Sequence, residues 1–385
     1  MGGKKSKPQP PPTTTYIEEK PMREPPREPP RREPPKEYTT NPWRSFGPDF
    51  NWDQNTEATL KKDLKEFKTD QKVTNFRVLL LGAVGAGKSS FINSIASIDK
   101  GRLAQVALAG TGKKSKTTKL REFMPTNIIE HVILSDTMGI EAIEQEGFNV
   151  QDVVYLINGN IPLDYQFNPR CPVDPSKCES FKENPDDSDK SHCVAFVIDV
   201  QVIVEENIPA RIKAKITELQ DKIDKLEVPA VVLLTHIDSQ CEDPQKTFFS
   251  IKLENAVKTA SEMFGIPELY IFPVKNYSSE GSLDPMKNIL HLLALKQMMY
   301  FATDFLEMTR HNAKSTAVQT PKETRTNALS VGQNVSARFK EESKDKLESW
   351  HDGQVAEIII EGQCYNIDFG GGIKRYLNRT DIKPK

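Results

Sequence analysis

Gly82-Ala-Val-Gly-Ala-Gly-Lys88-Ser89 sets three glycines, a lysine and a hydroxyl between an apolar run and a helix-forming stretch. This is the G-x-x-x-x-G-K-[ST] spacing in the strand, loop and helix context that it needs. Gly82, Gly85 and Gly87 let the backbone turn its amides toward phosphate oxygens. Val84, Ala86 and Ser90 complete the cradle, and the helix N-terminus adds its positive end. Lys88 is placed to reach β- and γ-phosphates, and the Ser89 hydroxyl to ligate Mg²⁺. About 50 residues later, Asp136-Thr-Met-Gly139 follows the apolar "HVILS". A strand end would carry Asp136 to the metal and the Gly139 amide to the γ-phosphate. A switch threonine is expected between the two motifs. Thr117 and Thr118 are the favoured pair, with Thr111 a competitor.

"LLTHID" ends a later apolar run. Asp238 there can accept from N1–H and the exocyclic amine of guanine. Adenine lacks both donors and would leave the carboxylate unpaired. His236 takes the place of a lysine lying over the base plane and can do so by stacking. Thr235 is smaller than the usual asparagine and could lose a contact to the loop. Val274, Lys275 and Asn276 are candidates for the backbone amide that meets guanine O6. The expected ligands are GTP or GDP with Mg²⁺, the metal held by Ser89 and Asp136.

These residues need a frame. Apolar runs at 76–81, 132–134, 193–198, 231–234 and 269–274 read as strands. Helical spacing covers 51–67, 90–98, 211–226, 252–264 and 286–308. Alternation of this kind predicts an α/β fold of the P-loop NTPase type, a mostly parallel sheet covered on both faces. The expected organisation is a Pro-rich arm over 1–50, a nucleotide domain over 51–309 with an insertion at about 141–191, a linker over 310–329, and a small all-β barrel over 330–385. The insertion is too long and too rich in proline and acid for an ordinary connection.

The order of "RVLLLGAVGAGKSSFINSI", "ALAG", "LSDTMGIE", "DYQFNP", "LLTHID" and "NYSSEG", preceded by "NPWR", resembles the interferon-induced protein 44 and 44-like family over roughly residues 42–310. The resemblance implies a cytoplasmic, interferon-inducible protein with a GTPase-like domain, associated with antiviral or antiproliferative responses. It does not by itself imply turnover.

The residues themselves point to slow hydrolysis. Ile140 follows DxxG where small GTPases often carry a water-orienting glutamine, and Val84 obstructs the route of an inserted arginine. Glu141 or Glu144 could compensate, or a homodimer through the nucleotide face could supply catalytic groups.

The remaining segments suggest interactions. Residues 1–48 hold 13 of the 27 prolines, including three Arg-Glu-Pro-Pro repeats, and read as a disordered, semi-stiff spacer. Gly2 and Ser6 fit an N-myristoylation pattern, with Lys4, Lys5 and Lys7 as a second membrane signal. The tail resembles a Tudor or SH3-like barrel, in which Trp350, Tyr365, Phe369 and Tyr376 could wall a cage for a methylated peptide. The formal net charge of −2 makes the chain no obvious polyanion binder. Five scattered cysteines without a CxxC pair point away from a zinc knuckle or disulfide framework and toward a reducing compartment. No run of about 18 apolar residues suggests a membrane-spanning helix.

Overall fold

The computed structural model describes residues 38–47, 50–69, 73–109, 117–143, 146–241 and 244–318, and of the C-terminal segment 334–339, 349–360, 364–368, 374–378 and 382–384. The Gly2 pattern, the proline repeats, Thr111 and Glu144 lie outside them.

Six strands form the main sheet: β1 (Phe76–Gly82), β2 (Arg121–Phe123), β3 (Val132–Asp136), β4 (Cys193–Asp199), β5 (Ala230–Thr235) and β6 (Ile271–Pro273). Their order is β2-β3-β1-β4-β5-β6. β2 runs antiparallel to β3, and the other pairs are parallel. β1 "FRVLLLG" and β5 "AVVLLT" are buried almost throughout. A parallel sheet covered on both faces needs such continuous apolar runs. The chain order reverses at β1, flanked by β3 and β4. An open α/β sheet forms its crevice at that point, beyond the carboxyl ends of the strands. The registers gather Gly82, Asp136, Asp199 and Thr235 there.

The helices are α1 (Gln54–Lys65), α2 (Lys88–Lys100), α3 (Val153–Ile157), α4 (Val200–Val204), α5 (Ala210–Lys225), α6 (Ile251–Phe264) and α7 (Pro285–Val318). α5 buries only Ile212, Ile216, Leu219 and Ile223, the amphipathic stripe read from its spacing. α7 buries Ile289, Leu290, Leu292, Leu295, Met298 and Met299 and packs on α1, α2 and the sheet. Its Lys296 meets Asp63 of α1 at 2.5 Å. Two ends differ from expectation. β6 begins late because the stretch after Pro267 turns as a 3-10 helix over Glu268–Tyr270. α7 runs to Val318, inside the segment read as linker.

The insertion is pinned to residues 118–120. The Leu120 amide donates to the Tyr165 carbonyl, and the Phe167 amide to the Thr118 carbonyl, both at 3.0 Å. "DYQFNP" thereby forms a partner for residues 118–120. The arm expected to extend to residue 50 is likewise anchored at its near end. Thr39 and Trp43 donate amides to the Phe249 and Phe248 carbonyls, both at 2.8 Å. Arg44 is buried, donating to the carbonyls of Glu268 and Ile271, and its guanidinium lies over Trp43, Phe248 and Phe272. Burial pulls Arg44 down to about 10. Trp43, Phe46, Phe50, Trp52 and Phe248 close an aromatic cluster over this strap.

In the tail, β7 (Asn334–Phe339), β8 (Ser349–Ile360), β9 (Cys364–Asp368), β10 (Lys374–Asn378) and β11 (Ile382–Pro384) form an antiparallel sheet, ordered β10-β9-β8-β7-β11. β8 pairs with β7 on one side and β9 on the other, and the tail is antiparallel, with the all-β character expected over residues 330–385. Phe369 lies outside the described residues. The side chains of Trp350, Tyr365 and Tyr376 likewise lie outside the described residues.

Candidate nucleotide site

The carboxyl ends of the strands open on a cleft of about 790 Å³. Val84, Gly85, Gly87, Lys88, Ser89 and Ser90 line one side of it. Gly87 has φ +96°, and a Cβ there would lie 2.9 Å from Asn276 Nδ2. The left-handed backbone and the close neighbour together require glycine. Gly139 is equally constrained: a Cβ would stand 2.8 Å from Val84 Cα. Val84 and Gly139 thus pack against one another and set the phosphate loop on the DxxG turn. The Ile140 amide donates to the Gly82 carbonyl at 3.0 Å, and the Val84 amide to the Ile140 carbonyl at 3.1 Å. The Ile140 side chain is buried in the hydrophobic core. The Glu141 carbonyl accepts from Lys215 Nζ at 2.7 Å.

Lys88 Nζ folds back to donate to the Gly82 and Ala83 carbonyls at 2.9 and 3.1 Å. Burial pulls this ammonium down to about 8, against the attraction of Asp136. Asp136 Oδ2 accepts from Ser89 Oγ at 2.6 Å and from Thr117 Oγ1 at 3.1 Å. Its Oδ1 is buried without a hydrogen-bond partner. Burial pushes the Asp136 carboxyl up, opposed by Ser89, Lys88 and Thr117. Of the two favoured threonines, the fold brings Thr117 to Asp136 and Ser89. Thr118 is exposed and its carbonyl serves Phe167 and Gln166.

The residues fit Mg²⁺. Two hydroxyls converge on one carboxylate oxygen, and the second oxygen has no other occupation. Among the described residues no cluster of three or more His, Cys, Asp or Glu is placed to hold a metal. Mg²⁺ bound with nucleotide phosphates does not need one, since it takes one or two carboxylates, waters and the phosphates themselves.

The base end differs from the sequence reading in detail. Thr235 keeps a loop contact that its smaller size could have lost: its Oγ1 donates to the Ala86 carbonyl at 2.7 Å. The Ile198 carbonyl lies 3.1 Å away. Asn276 contributes its side chain, not only its backbone: Nδ2 donates to the Gly87 carbonyl at 3.2 Å, and Oδ1 lies 3.0 Å from His291 Nε2. His236 lines the cleft in the left-handed region, φ +54°, with Nδ1 3.1 Å from Asp199 Oδ2. Asp238 and Lys275 do not line the cleft but face each other at 3.8 Å. Val274 is buried, its amide donating to the Leu234 carbonyl. Tyr277 and Glu280 complete this side. Asp199 and Tyr277 were not read from the sequence. The available signal for Asp199 was a carboxylate at the carboxyl end of an apolar strand.

Residues 77–236 match the family model for a 50S ribosome-binding GTPase. The interferon-induced protein 44-like of Homo sapiens is 35% identical over 257 residues, covering 64% of this chain and 56% of that protein. Interferon-induced protein 44 of Homo sapiens is 35% identical over 244 residues, covering 61% and 54%. The chain spans about half the length of the curated relatives it matches. Among solved structures, Toc33 from Arabidopsis thaliana in complex with Mg²⁺ and GMPPNP is 17% identical with a TM-score of 0.38, covering 65% of this chain and 92% of that one. The chain therefore carries a P-loop GTPase domain with a mostly parallel mixed sheet, and it is similar to interferon-induced proteins 44 and 44-like.

Proposed function

We propose that the protein binds GTP or GDP in a Mg²⁺-dependent manner and hydrolyses GTP slowly, as a nucleotide switch in the interferon response. The observation carrying this reading is the Ser89, Thr117 and Asp136 cluster, with its unsatisfied Asp136 Oδ1, beside a buried Lys88. On binding, Lys88 exchanges the Gly82 and Ala83 carbonyls for phosphate oxygens. Ser89, Thr117 and Asp136 hold the metal, which neutralises phosphate charge when bound. The N-terminal amides of α2 face the same anion. Asp238 leaves Lys275 to accept from the guanine edge, and His236 lies against the base.

Slow turnover rests on two features. Ile140 is committed to the core, and Val84 fills the space above Gly139. Hydrolysis above a basal rate then needs groups from a second copy across the nucleotide face. We further propose a cytoplasmic location and an antiviral role, as the family resemblance of the sequence implies. Acylation at Gly2 with Lys4, Lys5 and Lys7 would add peripheral membrane contact. No helix among the described residues is long and apolar enough to cross a membrane.

Calorimetry of wild type and Asp238→Asn against GTP, ATP and XTP, with and without Mg²⁺, tests the reading. The expected result is Mg²⁺-dependent GTP binding well above ATP in the wild type, turned toward XTP in the variant. Equal affinity for GTP and ATP removes guanine selectivity. Absence of any Mg²⁺-dependent affinity favours an adaptor that binds partners through its arm and C-terminal sheet and keeps the pocket as structure.

A further inference from the structure

Asp199 ends β4 directly beside Thr235 in the parallel register. Its side chain accepts from the Gln201 amide at 2.8 Å, starting α4. Its Oδ2 lies 3.1 Å from His236 Nδ1. The Thr235 hydroxyl, 3.2 Å from the same nitrogen, already donates to the Ala86 carbonyl. Nδ1 therefore faces acceptors and carries its proton, and Nε2 is the nitrogen that titrates. Both residues line the cleft.

We propose that Asp199 is a positioning residue for the nucleobase, holding His236 on the cleft wall as a cationic platform for the purine face. The inference rests on the guanine-site reading and adds the residue that makes histidine serve where a lysine is usual. A protonated imidazole keeps the positive charge of that lysine and adds a flat surface, so it attracts an electron-rich base by charge and by stacking. The hydrogen bond to Asp199 holds the His236 ring above its ordinary range, against its partial burial. Burial opposes ionisation of Asp199, but His236 and the Gln201 amide together hold it below the usual carboxylate range. Asp238 adds negative charge near the ring and is itself faced by Lys275. Lys88 and Glu280 line the same cleft. The cationic platform is present below the raised value and lost as pH rises through it. Without Asp199 that loss comes at lower pH.

The test is Mg²⁺-saturated binding of a fluorescent GDP from about pH 5.5 to 8.5 in wild type, Asp199→Asn, His236→Lys and His236→Phe. Asparagine keeps an acceptor for the Gln201 amide, so α4 retains its start. Each affinity is divided by that of His236→Lys at the same pH, which cancels titration of the nucleotide. The wild-type ratio should fall about threefold to tenfold with rising pH, the range expected of a cation over an aromatic face. In Asp199→Asn the fall should move to lower pH, with weaker binding at neutrality. His236→Phe should be flat. Ring proton shifts of His236 in the nucleotide-free protein provide the separate readout, identified by their loss in His236→Phe. Their midpoint should drop in Asp199→Asn. A superimposable Asp199→Asn profile overturns the inference, as does a flat wild-type ratio in a protein that binds guanine nucleotides. If the ring midpoint shifts but no variant binds nucleotide at any pH, the guanine-site reading itself fails and this role with it.

Discussion

The two ends of the cleft are built on opposite electrostatic plans. At the phosphate end, Lys88 and Asp136 are buried, each pushed toward its neutral form by burial, and Asp136 Oδ1 has no partner. At the base end the groups are already paired: Asp199 with His236, Asp238 with Lys275, Thr235 with Ala86, and Asn276 with Gly87. At the phosphate end a buried ammonium gives up only neutral carbonyls and a carboxylate oxygen has no partner to lose; at the base end Asp238 must leave a charged partner before it meets a ligand. Affinity should therefore come mostly from the phosphate end. The base end should decide which nucleotide is accepted, because its gains are differences between two paired states.

Four variants sharpen or break this contrast. Lys88→Ala should weaken GTP and ATP alike by at least about 100-fold, on the order of 3 kcal/mol for a lost charge-assisted contact. A loss under about tenfold, measured by calorimetry, would dissolve the contrast. Asp136→Asn should abolish the Mg²⁺ dependence of binding and yet stabilise the nucleotide-free protein by roughly 1–2 kcal/mol, by removing a poorly satisfied buried charge. The Asp136 carboxyl is raised in the fold. Its stabilising contribution is thus present below the unfolded value and is lost as pH rises through the folded one. Wild-type melting temperature should carry that decline, and the asparagine variant should lack it. Thr235→Val keeps the shape but leaves the Ala86 carbonyl without its donor. It should cost about 1–2 kcal/mol of stability and weaken GTP and ATP equally, about tenfold, by loosening the phosphate loop. A loss confined to GTP would move Thr235 from loop support to base reading. Lys275→Ala has the smallest expected effect. It frees Asp238 from a partly exposed pair, so GTP should bind about twofold to threefold more tightly, with ATP unchanged.

Ile140 marks the limit of reading a site by position. The residue after DxxG stands where a glutamine would orient water, and the sequence correctly places an inert side chain there. What only the structure supplies is that the position faces the core, with its backbone tied on both sides to the phosphate loop. Ile140→Gln would then bury an amide rather than restore catalysis.

The strands and the phosphate loop were legible because their signals are local. A parallel strand is a continuous apolar run, and the phosphate motif fits within eight consecutive residues. Thr117 and Thr118 were not separable, because the choice depends on which of two neighbours presents its carbonyl to Phe167. Asp199 was invisible for a similar reason: its meaning comes from a register with Thr235, 36 positions away. The aromatic strap was taken for spacer because proline density says nothing of a partner more than 200 positions distant. The tail was read as all-β from alternation, which establishes strands without fixing how they pair.

That strap also sets an order of events during synthesis. Arg44 closes on the Ile271 carbonyl across 227 positions. At common elongation speeds, roughly 10 to 45 seconds separate the making of those two residues. Through most of that interval Trp43, Phe46 and Trp52 have no Phe248 to pack on. The apolar segment nearest the start of the described fold is thus among the last to be covered, and a chain halted before residue 271 would present it to whatever chaperone attends the emerging protein.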